Sequence, residues 1–233
     1  MQKNFLIRYA RLNLPVDIEN LQSETKELVD SNNWFPHLNE RHYTGNWDVL
    51  ALRSPGGNSK SIAADLMNES DFIDTPLMQR FSSVQKLVGN LYCPVMSVRL
   101  LRLKTGAVIK PHRDFDLCFE KGEARIHVPV FTNPDVQFFI EEERLPLKEG
   151  ESWYINANLT HSVCNHGATD RIHLVIDCTV NEWLKDIFAQ AEKVMIEEKV
   201  NVTEIQKIIH ELRLQNTAMS NKLADKLLEK IQP

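Results

Sequence analysis

Between Val95 and Thr179 the chain breaks into short runs rich in β-branched and aromatic residues: Val95–Leu103, Lys110–His112, Ala124–Phe131, Val136–Ile140, Ser152–Ile155, His161–Asn165 and Arg171–Thr179. Turn signals separate them at Lys104-Thr105-Gly106, Lys121-Gly122, Asn133-Pro134-Asp135, Lys148-Glu149-Gly150 and Asn165-His166-Gly167. Many short strands at this spacing predict an antiparallel sandwich or barrel. A parallel βα arrangement lacks the alternating helices it needs.

The flanks read differently. Phe5–Leu12 is rich in strand formers and Leu14-Pro15 ends it. Asp17 is placed to cap a helix running to about Val29, with Ile18, Leu21, Leu28 and Val29 on one side. Trp34, Phe35, His37, His42, Tyr43 and Trp47 form an aromatic and His-rich stretch leading into a strand, Trp47–Arg53. It is read either as the wall of a pocket or as core. Thr75-Pro76 opens a second helix reaching Gly89-Asn90. After Trp183 the strands stop. Helical periodicity covers Trp183–Val200, Asn201 opens a further helix to Leu214, and Ala218–Ile231 forms a last one. The expected division is a strand-rich domain with N-terminal helices over 1–182 and a helical C-terminal unit over 183–233 that covers the barrel, forms a homodimer contact, or does both. His210 on that unit is read as exposed or packing.

Composition narrows the function classes. The 233 residues carry a net charge of −5, which gives no support to nucleic-acid binding. Cys93, Cys118, Cys164 and Cys178 are scattered, without the paired spacing of a zinc site or of a secreted disulfide framework. The start lacks the apolar run of a signal peptide, and no apolar stretch approaches the ~20 residues that span a bilayer. The expectation is a soluble, cytoplasmic protein with neither a membrane nor a nucleic acid as partner.

The chemistry centres on Pro111-His112-Arg113-Asp114 and Thr160-His161-Ser162. In an extended strand His112 and Asp114, two apart, project from the same face. Two imidazoles and one carboxylate on one face of an iron ion, with the opposite positions open, make the facial triad of non-heme Fe(II) oxygenases. An HxD pair alone is weak, because a chain with 8 His meets one readily by chance. Two neighbours add weight. Arg171 lies beyond the turn that follows His161. If the two sit on antiparallel strands joined by that turn, Arg171 faces the same cavity and offers a bidentate partner to a cosubstrate carboxylate. Arg125 and His127 stand two apart among apolar residues, able to hold a metal-bound carboxylate or to orient a ligand. His173 is read as one residue off the face of Arg171, with a core or supporting role. His166 is read as a solvated turn residue, and Cys118 and Cys164 as inert thiols. Arg113 and Asp116 are read as contacts to a zwitterionic substrate or as surface pairs.

The motifs Pro111-His-Arg-Asp114, Arg125-Ile-His-Val-Pro-Val130, Thr132-Asn-Pro134, Gly150-Glu-Ser-Trp153, Asn156, His161-Ser-Val163, Asn165 and Arg171–Asp177, in this order, resemble the aspartyl/asparaginyl β-hydroxylase family, most closely its bacterial branch of amino-acid hydroxylases. The resemblance is strong over about 95–180 and looser over 34–53 and the tail. It implies an α+β, mainly β fold: a double-stranded β-helix (jelly roll, cupin-like) with Fe(II) at one mouth. By position it implies His112, Asp114 and His161 as iron ligands, Arg171 on the far carboxylate of 2-oxoglutarate, and Arg125 and His127 lining the cosubstrate site. The animal aspartyl hydroxylases carry Gly where this chain has Asp114. That departure places the chain nearer the amino-acid hydroxylases. The activity implied is hydroxylation of an unactivated C–H of a free amino acid or amino-acid-like small molecule, proline-like in the first instance, with 2-oxoglutarate and O2 consumed and succinate and CO2 formed. The alternatives are the same chemistry on an Asp, Asn or other residue of a protein or peptide, and a non-catalytic cupin-like metal-binding protein.

Overall fold

The computed structural model describes residues 4–60, 71–198 and 202–231. In chain order they form β1 (Phe5–Leu12), α1 (Ile18–Lys26), β2 (Phe35–Pro36), β3 (Tyr43–Thr44), β4 (Trp47–Pro55), β5 (Phe72–Asp74) and α2 (Ser82–Gly89). Next come β6 (Val95–Leu103), β7 (Val108–His112), β8 (Glu123–Phe131), β9 (Val136–Ile140), β10 (Glu143–Arg144), β11 (Ser152–Ile155), β12 (His161–Asn165) and β13 (Arg171–Thr179). The last elements are α3 (Glu182–Gln190), β14 (Glu192–Glu197), α4 (Val202–Gln215) and α5 (Ala218–Ile231).

The strands from β6 onward divide between two sheets. One contains the run β11-β8-β13-β6 and continues to β1 on one side and to β4 and β2 on the other; the second runs β10-β9-β12-β7-β3. All the ladders between these strands are antiparallel. Of the eight strands β6 to β13, the first pairs with the eighth, the eighth with the third and the third with the sixth. In the other sheet the second pairs with the seventh, the seventh with the fourth and the fourth with the fifth. This is the jelly roll, two interlocked Greek keys.

The period-2 alternation of the strands divides the core into two layers. Leu50, Leu52, Val98, Leu100, Ile126, Val128, Leu174 and Ile176 belong to a layer shared with Leu21 of α1, Val84 of α2 and Leu184 and Phe188 of α3. Val49, Leu101, Leu103, Ile155 and Val175 face Ile109, Phe138, Ile140 and Val163 of the other sheet. At about 1.5–3 kcal/mol for each large apolar side chain buried, these two layers dominate the folding free energy. The second layer is incomplete toward one end, where polar side chains replace apolar ones and the functional cavity opens.

The helix expected from Thr75 is split. Pro76–Arg80 forms a 3-10 turn, Phe81 leaves helical geometry (φ −124°) with its ring fully buried, and α2 starts at Ser82. Glu24 of α1 replaces a local cap, accepting from Ser82 Oγ at 2.7 Å and Ser83 N–H at 3.1 Å. The helix expected over Trp183–Val200 ends at Gln190, where Lys193 Nζ donates to the Phe188 carbonyl at 2.8 Å. Val194-Met195-Ile196 then continues as strand β14, in keeping with its strand-forming composition. Asn201, expected to open the next helix, lies outside the described residues.

Two compact units result, Ile7–Val194 and a smaller one of Met1–Leu6 with Met195–Pro233. α3 falls in the larger unit. In the smaller unit α4 and α5 pack on each other. Asn216, in left-handed geometry (φ 47°), turns the chain between them, and Arg213 pairs with Asp225 at 2.6 Å. No helix among the described residues is long and apolar enough to cross a membrane.

Candidate metal centre and active-site cavity

His112 ends β7 and His161 begins β12, and the two are direct partners in the antiparallel ladder. Their rings therefore stand side by side, centroids 4.2 Å apart. Asp114 lies past the end of β7, in the loop, its N–H donating to the Ala157 carbonyl at 2.9 Å. The turn, not strand alternation as expected, brings the carboxylate round to the imidazoles. One ligand atom from each of His112, Asp114 and His161 lies within 4.8 Å of the others, the cluster suited to a metal ion among the described residues.

The imidazoles are oriented for ligation. His112 Nδ1 sits 2.8 Å from the Lys110 carbonyl and His161 Nδ1 3.0 Å from the Leu159 carbonyl. A carbonyl only accepts, so each Nδ1 carries the hydrogen and each Nε2 keeps its lone pair. Burial pushes His161 down to about 4, against a partial pull from Asp114, so its ring is neutral at physiological pH. Burial alone would raise the Asp114 carboxyl; the adjacent Arg125 guanidinium, through its charge and its hydrogen bond, together with the His161 and His112 rings outweighs it and holds the group below the usual range.

Arg125 is the hub of a buried ionic cluster. Its NH1 donates to Asp114 Oδ2, and its Nε and NH2 donate to Asp177 at 2.7 and 3.2 Å. Asp177 also accepts from Arg99 NH2 at 2.6 Å and Ser97 Oγ at 2.7 Å. Arg125 thus holds the candidate ligand carboxylate while lining the cavity.

His112, Asp114, His161, Arg125, His127 and Arg171 all line one cavity of about 320 Å³. Arg171 does not reach it as expected. β12 and β13 lie in different sheets, so the turn after Asn165 carries the chain across the sandwich and Arg171 faces His161 from the opposite layer. Its guanidinium is 2 % exposed. It hydrogen-bonds His173 Nδ1 at 2.7 Å through NH2, lies 5.9 Å from the Phe138 ring centroid, and leaves Nε without a partner. Burial, with no facing carboxylate, lowers it to about 9. His173 is not off that face: at i+2 on β13 it shares it, as the hydrogen bond requires. His127 is equally buried, its Nδ1 unpartnered, and is kept neutral by burial and by the charge of Arg171.

The aromatic stretch divides. His37 stacks on Trp47 at 3.5 Å and both line the cavity. Trp34 instead packs under Arg102, whose guanidinium lies 4.4 Å from the ring centroid. Arg113 pairs with Thr160 at 2.9 Å and Asp116 with Lys121 at 2.5 Å, and neither lines the cavity. His166 is exposed, and the cysteines lie outside the cavity lining. Asp177 and Arg99 carried no assigned role in the sequence. The signal was present: an acid and a base inside otherwise apolar strand runs need buried partners.

The jelly roll and this His-Asp-His cluster define a cupin-type protein with a preformed metal-binding constellation. Within that class the chain belongs to the aspartyl/asparaginyl β-hydroxylase family, whose model (Aspartyl/Asparaginyl beta-hydroxylase) matches residues 16–180. It is 27% identical over 135 residues to L-proline cis-4-hydroxylase of Rhizobium meliloti (strain 1021), a match covering 57% of this chain and 48% of the relative; it spans about half that protein's length. Solved structures similar to it include HygX from Streptomyces hygroscopicus with nickel and 2-oxoglutarate bound, 11% identical with TM-score 0.47, covering 76% of this chain and 84% of that one. A Pseudomonas putida prolyl-4-hydroxylase is 11% identical with TM-score 0.44, covering 75% and 94%. Likeness at these scores carries no argument about chemistry.

Proposed function

We propose that the protein is an Fe(II)- and 2-oxoglutarate-dependent dioxygenase that hydroxylates an unactivated C–H of a free amino acid or an amino-acid-like small molecule. The observation that carries this reading is the pairing, in one cavity, of a His-Asp-His cluster with a buried guanidinium that meets no carboxylate among the described residues. A buried cation without a counter-charge is costly, and a dicarboxylate cosubstrate relieves that cost. Family membership and the similarity to a proline hydroxylase agree with it.

In this reading His112, Asp114 and His161 hold the metal. Iron(II) with 2-oxoglutarate and O2 supplies the oxidising power, releasing succinate and CO2. The chain supplies position. His112 and His161 present Nε2, oriented by the carbonyls of Lys110 and Leu159. Arg125 fixes one oxygen of Asp114 and leaves the other for the metal. Arg171 takes the distal carboxylate of 2-oxoglutarate, with neutral His127 beside it. His37 and Trp47 wall the substrate end and exclude water from the reacting centre. A cytoplasmic, reducing setting belongs to the same proposal and fits four free thiols. So does a homodimer contact through α4 and α5, carried by exposed Leu214, Met219 and Leu223; a monomer at every concentration in sedimentation would remove it.

The test is succinate formation by the iron-loaded protein against a panel of free amino acids, proline first, and Asp- and Asn-containing peptides. Turnover with a free amino acid supports the reading. Turnover with peptides alone moves it to the protein-modifying alternative. Absence of 2-oxoglutarate consumption with every compound leaves the non-catalytic cupin.

A further inference from the structure

Among the described residues, the ion pairs that line the cavity leave one charged group outside them at each of its two ends. Arg99 and Arg125 meet Asp177, and Arg125 also meets Asp114, so two cations face two anions. That leaves Arg171 at one end of β13. At the other end stands Glu123, registered opposite Thr179. Glu123 is two residues before Arg125 on β8, so both side chains leave the same face, and both line the cavity. Oε2 of Glu123 is buried and has no hydrogen-bond partner among the described residues. Burial and the charge of Asp177 raise its carboxyl, against a smaller pull from Arg125. A carboxylate oxygen shielded from water in this way, on a half-buried side chain, favours a bound cation over an empty cavity.

We infer that Glu123 is the recognition site for the α-ammonium group of a free amino-acid substrate. The inference rests on the functional reading above and adds to it a specificity residue and a charge requirement. Arg171 and Glu123, surplus charges of opposite sign at opposite ends of one strand, then sort the two small molecules. The dicarboxylate goes to the Arg171 end, and the zwitterion goes to the Glu123 end with its ammonium toward the carboxylate. A residue whose nitrogen is acylated, in the interior of a peptide or in an N-acylated amino acid, has no α-ammonium to offer and is disfavoured at this end.

The test is calorimetric binding to protein loaded with Ni(II) and 2-oxoglutarate, in which no turnover occurs. The ligands are the common L-amino acids, proline included, each beside its Nα-acetyl counterpart. At least one free amino acid is expected to bind, with its acetylated form weaker by about tenfold or more, the scale of a charge-assisted hydrogen bond. The isosteric Glu123→Gln is expected to weaken the free amino acid by a similar factor and to leave the acetylated form unchanged. Equal binding of free and acetylated ligands overturns the inference, as does unaltered affinity in Glu123→Gln. So does the absence of binding by any free amino acid to protein that has taken up Ni(II) and 2-oxoglutarate. The ligand comparison needs no variant, so a Glu123→Gln protein that fails to fold does not remove the test. Protein that takes up neither Ni(II) nor 2-oxoglutarate marks the failure of the functional reading itself, and the inference falls with it.

Discussion

Arg125 joins Asp114 to Asp177, donating through NH1 to the first and through Nε, at 2.7 Å, to the second. The candidate ligand carboxylate is therefore anchored to a side chain on the central strand β13. Asp177 is 1 % exposed and is held below the usual carboxylate range. Burial opposes that, and Arg125 and Arg99 outweigh it. Asp177→Asn removes the shared anion and leaves two buried guanidinium groups undercompensated. The expected loss is about 3–5 kcal/mol of stability, the usual consequence of removing one partner of a buried ion pair. Urea denaturation of the metal-free variant measures it; a loss under about 1 kcal/mol would mean that Asp177 is not the anchor.

Two buried histidines, with His161 and His37 acting in the same direction, make the metal-free protein sensitive to acid. Burial and the nearby Arg171 hold both His127 and His173 well below the ordinary histidine range. An unfolded histidine takes up its proton near pH 6.5, whereas these two do so only at lower pH when folded. The unfolded state thus binds more protons below about pH 6.5, and stability falls as pH falls. Each contributes a slope of up to about 1.4 kcal/mol per pH unit in that window. Urea midpoints at pH 7.5, 6.5 and 5.5 are expected to be similar for the first two and lower at the third. A flat profile down to pH 5.5 would contradict the burial of neutral rings.

How far the sequence reached follows from which interactions are local. Strand periodicity and turn residues are local, and β6, β9, β11, β12 and β13 end where the pattern placed them. The clustering of His112, Asp114 and His161 was legible because His112 and Asp114 are neighbours and His161 carries a recognisable flank. What failed was the assignment of strands to sheets. Asn165-His166-Gly167 has the composition of a hairpin turn, yet it crosses from one sheet to the other, and nothing in three residues distinguishes the two paths. His173 was misplaced by a miscount of strand alternation, since i+2 returns to the same face. The cluster of Arg99, Arg125 and Asp177 joins strands 52 and 78 residues apart, beyond any local pattern.

The sheet-crossing turn is itself testable. A Cβ at Gly167 would lie 2.0 Å from Asn133 Oδ1. Asn133 holds the turn, donating to the Thr169 carbonyl at 3.0 Å and to Asn165 Oδ1 at 3.2 Å. Gly167→Ala is expected to cost about 1–3 kcal/mol, the range for forced overpacking. Gly89→Ala, where nothing lies within 4 Å, serves as the control and is expected to be neutral or stabilising by up to about 1 kcal/mol. Equal denaturation midpoints for the two variants would mean that Asn133 yields without cost.

The most direct test of the central claim is anaerobic titration of Fe(II) and 2-oxoglutarate into the protein, following the weak visible charge-transfer band of the chelate. Wild type is expected to develop the band. Arg171→Ala, which removes the buried guanidinium from the cavity, is expected to need at least about tenfold more 2-oxoglutarate to reach it. A folded, iron-loaded wild type that shows no band would contradict the assignment of this cavity to 2-oxoglutarate chemistry.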